Sequence, residues 1–128
     1  MRMLFDASAL LAAIFEEVGG EVALAKVADA AISTINLAEV ATRLIDKGID
    51  IAEAQHRISR FGLQPIPVDA DLAWSAAALR PVSRAFGLSL GDRICLALAL
   101  RENVPVLTAD RAWSKLDIGV RIKLIRDN

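Results

Sequence analysis

Four acidic residues of the sequence stand in apolar stretches, where a carboxylate needs a partner. They are Asp6, Glu39, Asp92 and Asp110, each next to a run of leucine, valine, isoleucine, alanine or phenylalanine residues. Burial of an unpaired carboxylate is costly, so such a group needs hydrogen bonds, a cation or a proton. Several carboxylates in one place suit a hard divalent cation such as Mg²⁺, which prefers oxygen ligands. The residue types therefore indicate a candidate metal site.

Each of these acids also has a purely structural interpretation, which the sequence leaves open. Asp6 is placed to cap the first predicted helix. Asn36-x-x-Glu39 and Ser89-x-x-Asp92 both fit the spacing of a capping box. Asp110 is placed to hold a turn through its side chain. Capping and metal binding predict different responses to added metal, so experiment can separate them.

Other kinds of catalytic site find little support in the residue types. One histidine and one cysteine argue against zinc. His56 stands in a polar helical stretch and is expected to be exposed, whereas Cys95 is expected to be a small core residue. No nucleophile elbow, phosphate-binding glycine loop or dinucleotide fingerprint is present. Trp74 and Trp113 are interpreted as packing residues rather than platforms for base stacking.

Apolar strand-like segments alternate with helical patterns along the chain. The predicted strands are 3–5, 31–34, 65–68, 104–108 and 120–125, and the predicted helices are 8–15, 21–30, 36–47, 50–61, 69–79 and 89–102. Two prolines confine the third strand to a sheet edge. Such alternation predicts an α/β fold with a mainly parallel sheet between helices. Because sites in these folds lie beyond the carboxyl ends of the strands, the strand-ending acids Asp6 and Asp110 are candidate site residues. If they converge with Glu39 and Asp92, four carboxylates share one pocket.

Length and composition limit the class of protein. The chain has 128 residues, with 15 basic and 16 acidic side chains, and 55% of it is hydrophobic. We therefore expect one folded domain over residues 1–128 rather than a disordered chain. No apolar run approaches the roughly 20 residues of a spanning helix, and the first residues lack the pattern of a signal peptide. With one cysteine, we expect a cytoplasmic protein that does not associate with membranes.

The four acids lie in segments 3–10, 33–40, 88–97 and 106–113. In order and spacing these segments resemble the PIN-domain family, and more narrowly the VapC-type ribonuclease toxins of bacterial toxin–antitoxin pairs. The resemblance implies a PIN-like three-layer fold, with a short, mainly parallel sheet flanked by helices. It also implies hydrolysis of RNA with Mg²⁺ or Mn²⁺. Partners implied by the family are a VapB-type antitoxin, whose tail blocks the site, and a second copy in a homodimer.

The resemblance also implies roles for individual residues. By motif position, Asp6, Glu39, Asp92 and Asp110 match the acidic cluster of the family, and no acid is missing. We expect Asp6, Asp92 and Asp110 to hold a first metal ion, while Glu39 with Asp92 holds a second ion or orients water. Polar residues that often accompany the cluster are matched by Ser8 and Thr108. No family pattern assigns Arg93 and Arg111, which we predict as phosphate contacts because they stand beside the motifs.

Two functions other than a nuclease are also compatible with the sequence. One is a catalytically silent PIN-like interaction module, in which the acids serve only as caps. The other is a phosphoacceptor receiver domain, which shares the length, the α/β architecture and acids that bind Mg²⁺. A receiver needs an acceptor aspartate at a mid-chain strand end and a lysine at a later one. Here Glu39 lies in a helical pattern, and segment 104–108 leads to Asp110 without a lysine.

Overall fold

A computed structural model describes residues 1–126, which form a five-stranded sheet with helices on both faces. All strand pairs are parallel, and the spatial order is β3-β2-β1-β4-β5. The strands are β1 (Met3–Phe5), β2 (Ala30–Ser33), β3 (Gln64–Ile66), β4 (Val106–Thr108) and β5 (Ile122–Leu124). The first strand is therefore central, and its carboxyl end lies next to that of β4.

Within residues 1–126, seven helices flank the sheet. They are α1 (Ala7–Ile14), α2 (Gly20–Leu24), α3 (Thr34–Asp46), α4 (Ile51–Ser59), α5 (Ala70–Ala78), α6 (Arg80–Ser83) and α7 (Leu90–Glu102). Two short 3-10 helices cover Arg84–Phe86 and Arg111–Lys115. Within residues 1–126 no helix is long and apolar enough to cross a membrane.

Alternate residues of the strands point into two separate cores. Phe5 and Leu107 pack with residues of α1 to α4 on one face of the sheet. Leu4 and Val106 pack with α5, α7 and Trp113 on the other face. This period of two is what a sheet buried on both faces requires. The predicted three-layer α/β fold is confirmed, and the sheet is wholly rather than mainly parallel.

Most predicted elements are present, with three differences. The predicted helix 21–30 ends at Leu24, and its last predicted residue, Ala30, belongs to β2. The predicted helix 36–47 begins at Thr34, because the side chain of Ser33 caps it by accepting from the backbone N–H of Asn36. Helix α6 and both 3-10 helices were not predicted. The proline-bearing β3 lies at an edge, as expected.

The burial of Cys95, His56, Trp113 and Trp74 depends on which face of its helix each residue occupies. Cys95 is buried and His56 is exposed, as predicted. Trp113 is a buried packing residue, but the same prediction for Trp74 was wrong, since 77% of that residue is exposed. Helix α5 buries Leu72 and Ala76, which are one turn apart, and Trp74 lies between them on the opposite side.

Candidate active site

The parallel pairing of β1 with β4 places Asp6 and Asp110 at the same edge of the sheet. Phe5 is paired with Leu107, and the backbone N–H of Asp6 donates to the carbonyl of Leu107 at 3.2 Å. Each acid follows its strand within two residues, so both leave the carboxyl end of the sheet. Both strand-ending acids therefore lie at the edge of the sheet where sites of such folds are found.

Asp6 is buried and receives three hydrogen bonds. Its Oδ1 accepts from Ser8 Oγ at 2.7 Å and from the backbone N–H of Ala9 at 2.9 Å, and its Oδ2 accepts from Thr108 Oγ1 at 2.5 Å. The bond from Ala9 caps α1. Burial raises the pKa of Asp6 to about 6, against the opposing effect of these donors, and the charge of Asp92 adds to the rise.

Ser8 and Thr108 connect Asp6 to the loop that carries Asp110. Ser8 Oγ accepts from the backbone N–H of Ala109 at 2.9 Å, and Thr108 Oγ1 accepts from the backbone N–H of Asp110 at 3.0 Å. Each hydroxyl thus donates to the carboxylate of Asp6 and accepts from the backbone of the loop. The two hydroxyls fix the start of the loop relative to Asp6.

Asp92 enters the site from the first turn of α7. Its Oδ2 accepts from the backbone N–H of Ser89 at 2.9 Å, while its own N–H donates to Ser89 Oγ at 3.1 Å. This is the capping box predicted from the sequence. Asp92 faces the same pocket as Asp6 and raises the pKa of Asp6 by charge repulsion. Capping therefore positions Asp92 in the site.

Glu39 is held by a different arrangement from the predicted capping box. Because α3 begins at Thr34, Asn36 lies inside the helix and is not its cap. Asn36 is buried, and its Nδ2 donates to Glu39 Oε1 at 2.7 Å and to the carbonyl of Gly91 at 3.4 Å. Asn36 thus joins α3 to α7 and orients the carboxylate of Glu39. Sequence reasoning missed this role, although a polar amide in an apolar helical stretch was a visible signal.

The three carboxylates other than Asp6 share one pattern of bonding. One oxygen of each is fixed by a hydrogen bond: Asp92 Oδ2, Asp110 Oδ1 by the N–H of Ala112, and Glu39 Oε1. Within residues 1–126 the second oxygen of each accepts no hydrogen bond. The internal hydrogen bonds therefore leave one oxygen of each carboxylate available to a metal ion. A structural role for these acids does not exclude metal binding.

A single pocket of about 730 Å³ contains all four acids. It lies between α1, α3 and the start of α7. Besides the four acids, its walls are formed by residues of α1, α3 and α7 and by Trp113: Ala7, Ser8 and Leu11; Ile35, Ala38, Thr42 and Arg43; and Ser89, Leu90 and Gly91. Thr108 lies behind Asp6 and is fully buried. The structure therefore brings the predicted acids together in one concave, acidic surface.

The electrostatics beneath the pocket agree with this convergence. Burial raises the pKa of the Cys95 thiol well above its usual range, and the charges of Asp6, Asp92 and Glu39 raise it further. A thiol held in its protonated form is a poor metal ligand and a poor nucleophile. The chemistry of the pocket therefore belongs to its oxygen atoms.

The oxygen donors suit a hard divalent cation, although the carboxylates are not gathered into a closed shell. Within residues 1–126, no three histidine, cysteine or acidic side chains are spaced to hold a metal ion together. Mg²⁺ usually takes only one or two protein carboxylates and completes its shell with water and substrate phosphate. The unbonded oxygens of Asp92, Asp110 and Glu39 in an open pocket fit that mode of binding.

The two arginines predicted to contact phosphate lie outside the pocket walls. Arg93 Nη1 donates to the carbonyl of Ala76 at 3.2 Å, which ties α7 to α5, and its Nε is buried. Arg111 is exposed at the start of its 3-10 helix. Arg43 does line the pocket, and sequence reasoning missed it. Its position one helical turn after Glu39 was the available signal.

The comparisons with known proteins agree with the fold. Residues 3–119 match the family model described as the PIN domain. No curated protein sequence matches the chain.

Several solved structures have the same fold at low sequence identity. A toxin–antitoxin complex from Klebsiella pneumoniae is 22% identical with a TM-score of 0.75, and the match covers 98% of this chain and 99% of that one. DNA-bound VapBC from Salmonella typhimurium is 18% identical with a TM-score of 0.77, over 98% and 99%. VapBC2 from Rickettsia felis, bound to a promoter DNA fragment, is 20% identical with a TM-score of 0.75, over 97% and 98%.

Proposed function

The chain belongs to the PIN-domain family, and we propose that it is a VapC-like toxin, an endoribonuclease that depends on Mg²⁺ or Mn²⁺. The observation that carries the proposal is the convergence of Asp6, Glu39, Asp92 and Asp110 in one pocket at the carboxyl edge of a parallel sheet. Structural neighbours that are toxin–antitoxin complexes support the toxin assignment.

Asp6, Asp92 and Asp110 are proposed to surround a first metal ion, and Glu39 with Asp92 to hold a second ion or a water molecule. Because no three of these side chains are spaced to close on an ion by themselves, water and substrate phosphate would complete the ligand shell. A bound divalent ion supplies an activated water and stabilises charge on the phosphate in the transition state. The protein contributes fixed positions for the ligands, because internal hydrogen bonds hold both oxygens of Asp6 and one oxygen each of Glu39, Asp92 and Asp110.

The protonation of Asp6 also fits this function. Without a cation, desolvation and the nearby charge of Asp92 favour protonated Asp6, with a pKa of about 6. A cation near these carboxylates favours the ionised form, so ligand formation releases a proton. Ser8 and Thr108 hold the carboxylate in place in either state, because a hydroxyl can both donate and accept.

An apolar groove on the other side of α3 supports regulation by an antitoxin polypeptide. The groove has a volume of about 640 Å³, and its walls include Leu10, Leu37, Ile51 and Ile58. It shares Ala38 with the acidic pocket, so a polypeptide anchored in the groove is within reach of the acids. We propose that a VapB-type antitoxin binds there through apolar side chains.

The homodimer and the cytoplasmic location stay predictions. Trp74 supports a protein–protein contact of some kind, because 77% of this large aromatic residue is exposed on α5. Val82 and Leu90 are also more than half exposed.

The two alternative functions receive less support from the geometry. A silent module explains the caps but gives no reason for four acids that line one pocket, three of them with an unbonded carboxylate oxygen. A receiver domain needs an acceptor aspartate at a mid-chain strand end, and Glu39 is inside a helix. Strand β4 leads to Asp110 without a lysine.

The proposal is tested with purified wild-type protein and the Asp6→Asn and Asp92→Asn variants. We expect wild type to cleave single-stranded RNA in millimolar Mg²⁺ or Mn²⁺ and to lose this activity in excess chelator. Both variants should fold and fail to cleave, because a carboxamide lacks the charge that a hard cation requires. Wild-type cleavage rates in both variants would refute the metal site.

Expression in bacteria tests the toxin assignment separately. Wild type expressed alone should arrest growth, and its cognate antitoxin should relieve the arrest. High-level expression of soluble, harmless wild-type protein would contradict the toxin assignment while leaving a nuclease intact.

A further inference from the structure

Arg43 is the last residue of α3 that lines the acidic pocket. Among the described residues that line the pocket, it alone carries a positive charge. The wall that α3 contributes consists of residues 35, 38, 39, 42 and 43, which is one continuous helical face. Arg43 is one turn beyond Glu39 on that face, about 6 Å along the helix axis.

The guanidinium of Arg43 has no partner within residues 1–126, although a carboxylate lies one turn before it. Elsewhere in the chain the same spacing gives an ion pair, since Arg57 Nε lies 2.9 Å from Glu53 Oε1. Glu39 differs from Glu53 because Asn36 holds its carboxylate and turns it toward Gly91. The fold therefore separates Glu39 from Arg43 and leaves a guanidinium available to a ligand.

The neighbouring hydroxyl is not available in the same way. Thr42 Oγ1 donates to the carbonyl of Ala38 at 2.8 Å, inside the helix. Arg43 is thus the group on this end of the wall that can donate to an anion.

We propose that Arg43 binds a phosphate of the RNA substrate next to the one that is cleaved. The inference rests on the proposed nuclease function. A pocket with four carboxylates repels a polyanion, and a cation at its end offsets that repulsion where the strand enters. A guanidinium suits this task because its planar donors match phosphate oxygens in pairs.

The test measures binding of a fluorescent single-stranded RNA across a range of salt concentrations. All proteins carry Asp92→Asn, so that the RNA is not cut during the measurement. In this background Arg43→Ala should bind about tenfold more weakly at low salt. Its log–log salt dependence should be less steep by about 0.7, the value for one phosphate contact on a single strand. Arg43→Lys should keep the salt slope and lose part of the affinity, because the charge stays and the paired donors go.

Arg60→Ala is the matched control. Arg60 is an exposed arginine beside a different pocket, and its removal should leave both quantities unchanged. In the active enzyme, Arg43→Ala should raise KM with little change in kcat, since a flanking phosphate is bound equally in ground and transition states.

Equal affinity and slope for Arg43→Ala and its background would overturn the proposal. So would a loss of antitoxin binding without a loss of RNA binding, which would assign Arg43 to the partner. Failure of wild type to cleave any RNA would instead overturn the proposed function itself, and the inference with it.

Discussion

Gly91 at the start of α7 lies directly against the carboxylate of Glu39 on α3. A Cβ atom at position 91 would lie 2.5 Å from Oε2 of Glu39 and 2.7 Å from its Oε1. A Cβ atom does not tolerate so close a contact, so the glycine at position 91 is what leaves room for the carboxylate of Glu39 in its observed position.

We predict that Gly91→Ala separates activity from stability. Alanine is the better helix former by up to about 1 kcal/mol, so the variant should fold with a melting temperature close to that of wild type. Its methyl group should displace the carboxylate of Glu39 and lower metal-dependent cleavage at least tenfold. Gly87→Ala would be a poor control, because Gly87 has a positive φ of 63°. Thermal melting and cleavage rates check the prediction, and wild-type rates in Gly91→Ala would contradict it.

The raised pKa of Asp6 predicts a pH-dependent stability in metal-free protein. The folded state binds a proton up to a pKa of about 6, while the unfolded state releases it near 3.8. The free energy of unfolding should therefore fall as pH rises from about 4 to about 6, by up to roughly 3 kcal/mol. Chemical denaturation in chelator at several pH values measures this change.

Asp6→Asn should lack that change, because the carboxamide does not titrate. At pH 7 in chelator the variant should be at least as stable as wild type, since it avoids a buried charge and still accepts from Ala9. The measure is the free energy of unfolding of wild type minus that of Asp6→Asn at each pH. A rise in this difference from pH 4 to pH 6 would contradict the prediction.

Metal-induced stabilisation separates ligands from caps. In millimolar Mg²⁺ or Mn²⁺, wild type and Ser89→Ala should both gain melting temperature, whereas Glu39→Gln and Asp92→Asn should gain less. A ligand that binds only the native state adds about 2.7 kcal/mol at a hundredfold excess over Kd. In chelator, Ser89→Ala should be less stable than wild type by about 1 kcal/mol, because it removes the cap of α7. Equal metal-induced gains in all four proteins would refute the assignment of Glu39 and Asp92.

The apolar groove predicts a variant that escapes its antitoxin. Ile51 is 60% exposed and lines the groove, so Ile51→Glu should fold and cleave RNA as wild type does. Because the antitoxin would bury the new glutamate carboxylate when it covers the groove, the substitution should weaken antitoxin binding at least tenfold. Val18→Glu, at a residue that is 67% exposed and not among the groove walls, is the matched control. Calorimetric titration with the antitoxin measures both, and equal affinities would place the antitoxin elsewhere.

Much of the fold was predictable because strand and helix periodicities are local. Apolar residues that end in an acid marked β1 and β4, and the order of elements implied parallel pairing. The four acids followed from the same patterns. The hydrogen bonds of these acids could not be predicted in the same way. Ser8 Oγ, for example, joins Asp6 to the backbone of Ala109, which lies 101 residues after Ser8 in the sequence.

The missed features depend on which side of a helix faces the core. Arg93 was predicted as a phosphate contact from its place beside Asp92, but the helix turns its guanidinium to the carbonyl of Ala76. Arg43 is on the pocket side of α3 because Val40 and Leu44 are buried on the other side. For Trp74, a bulky aromatic residue suggested burial, and only the packing of Leu72 and Ala76 showed otherwise.

The hydrogen bond between Thr108 and Asp6 spans 102 positions of the chain. During synthesis, Asp6 emerges from the ribosome long before Thr108 and Asp110 do, and parallel strands so far apart pair slowly. A growing chain therefore carries an incomplete acidic pocket until β4 has been made and has docked beside β1. The acidic pocket, and with it the proposed nuclease activity, is therefore completed only after Asp110 has been made, so that a proposed antitoxin already present can bind the protein as the pocket forms.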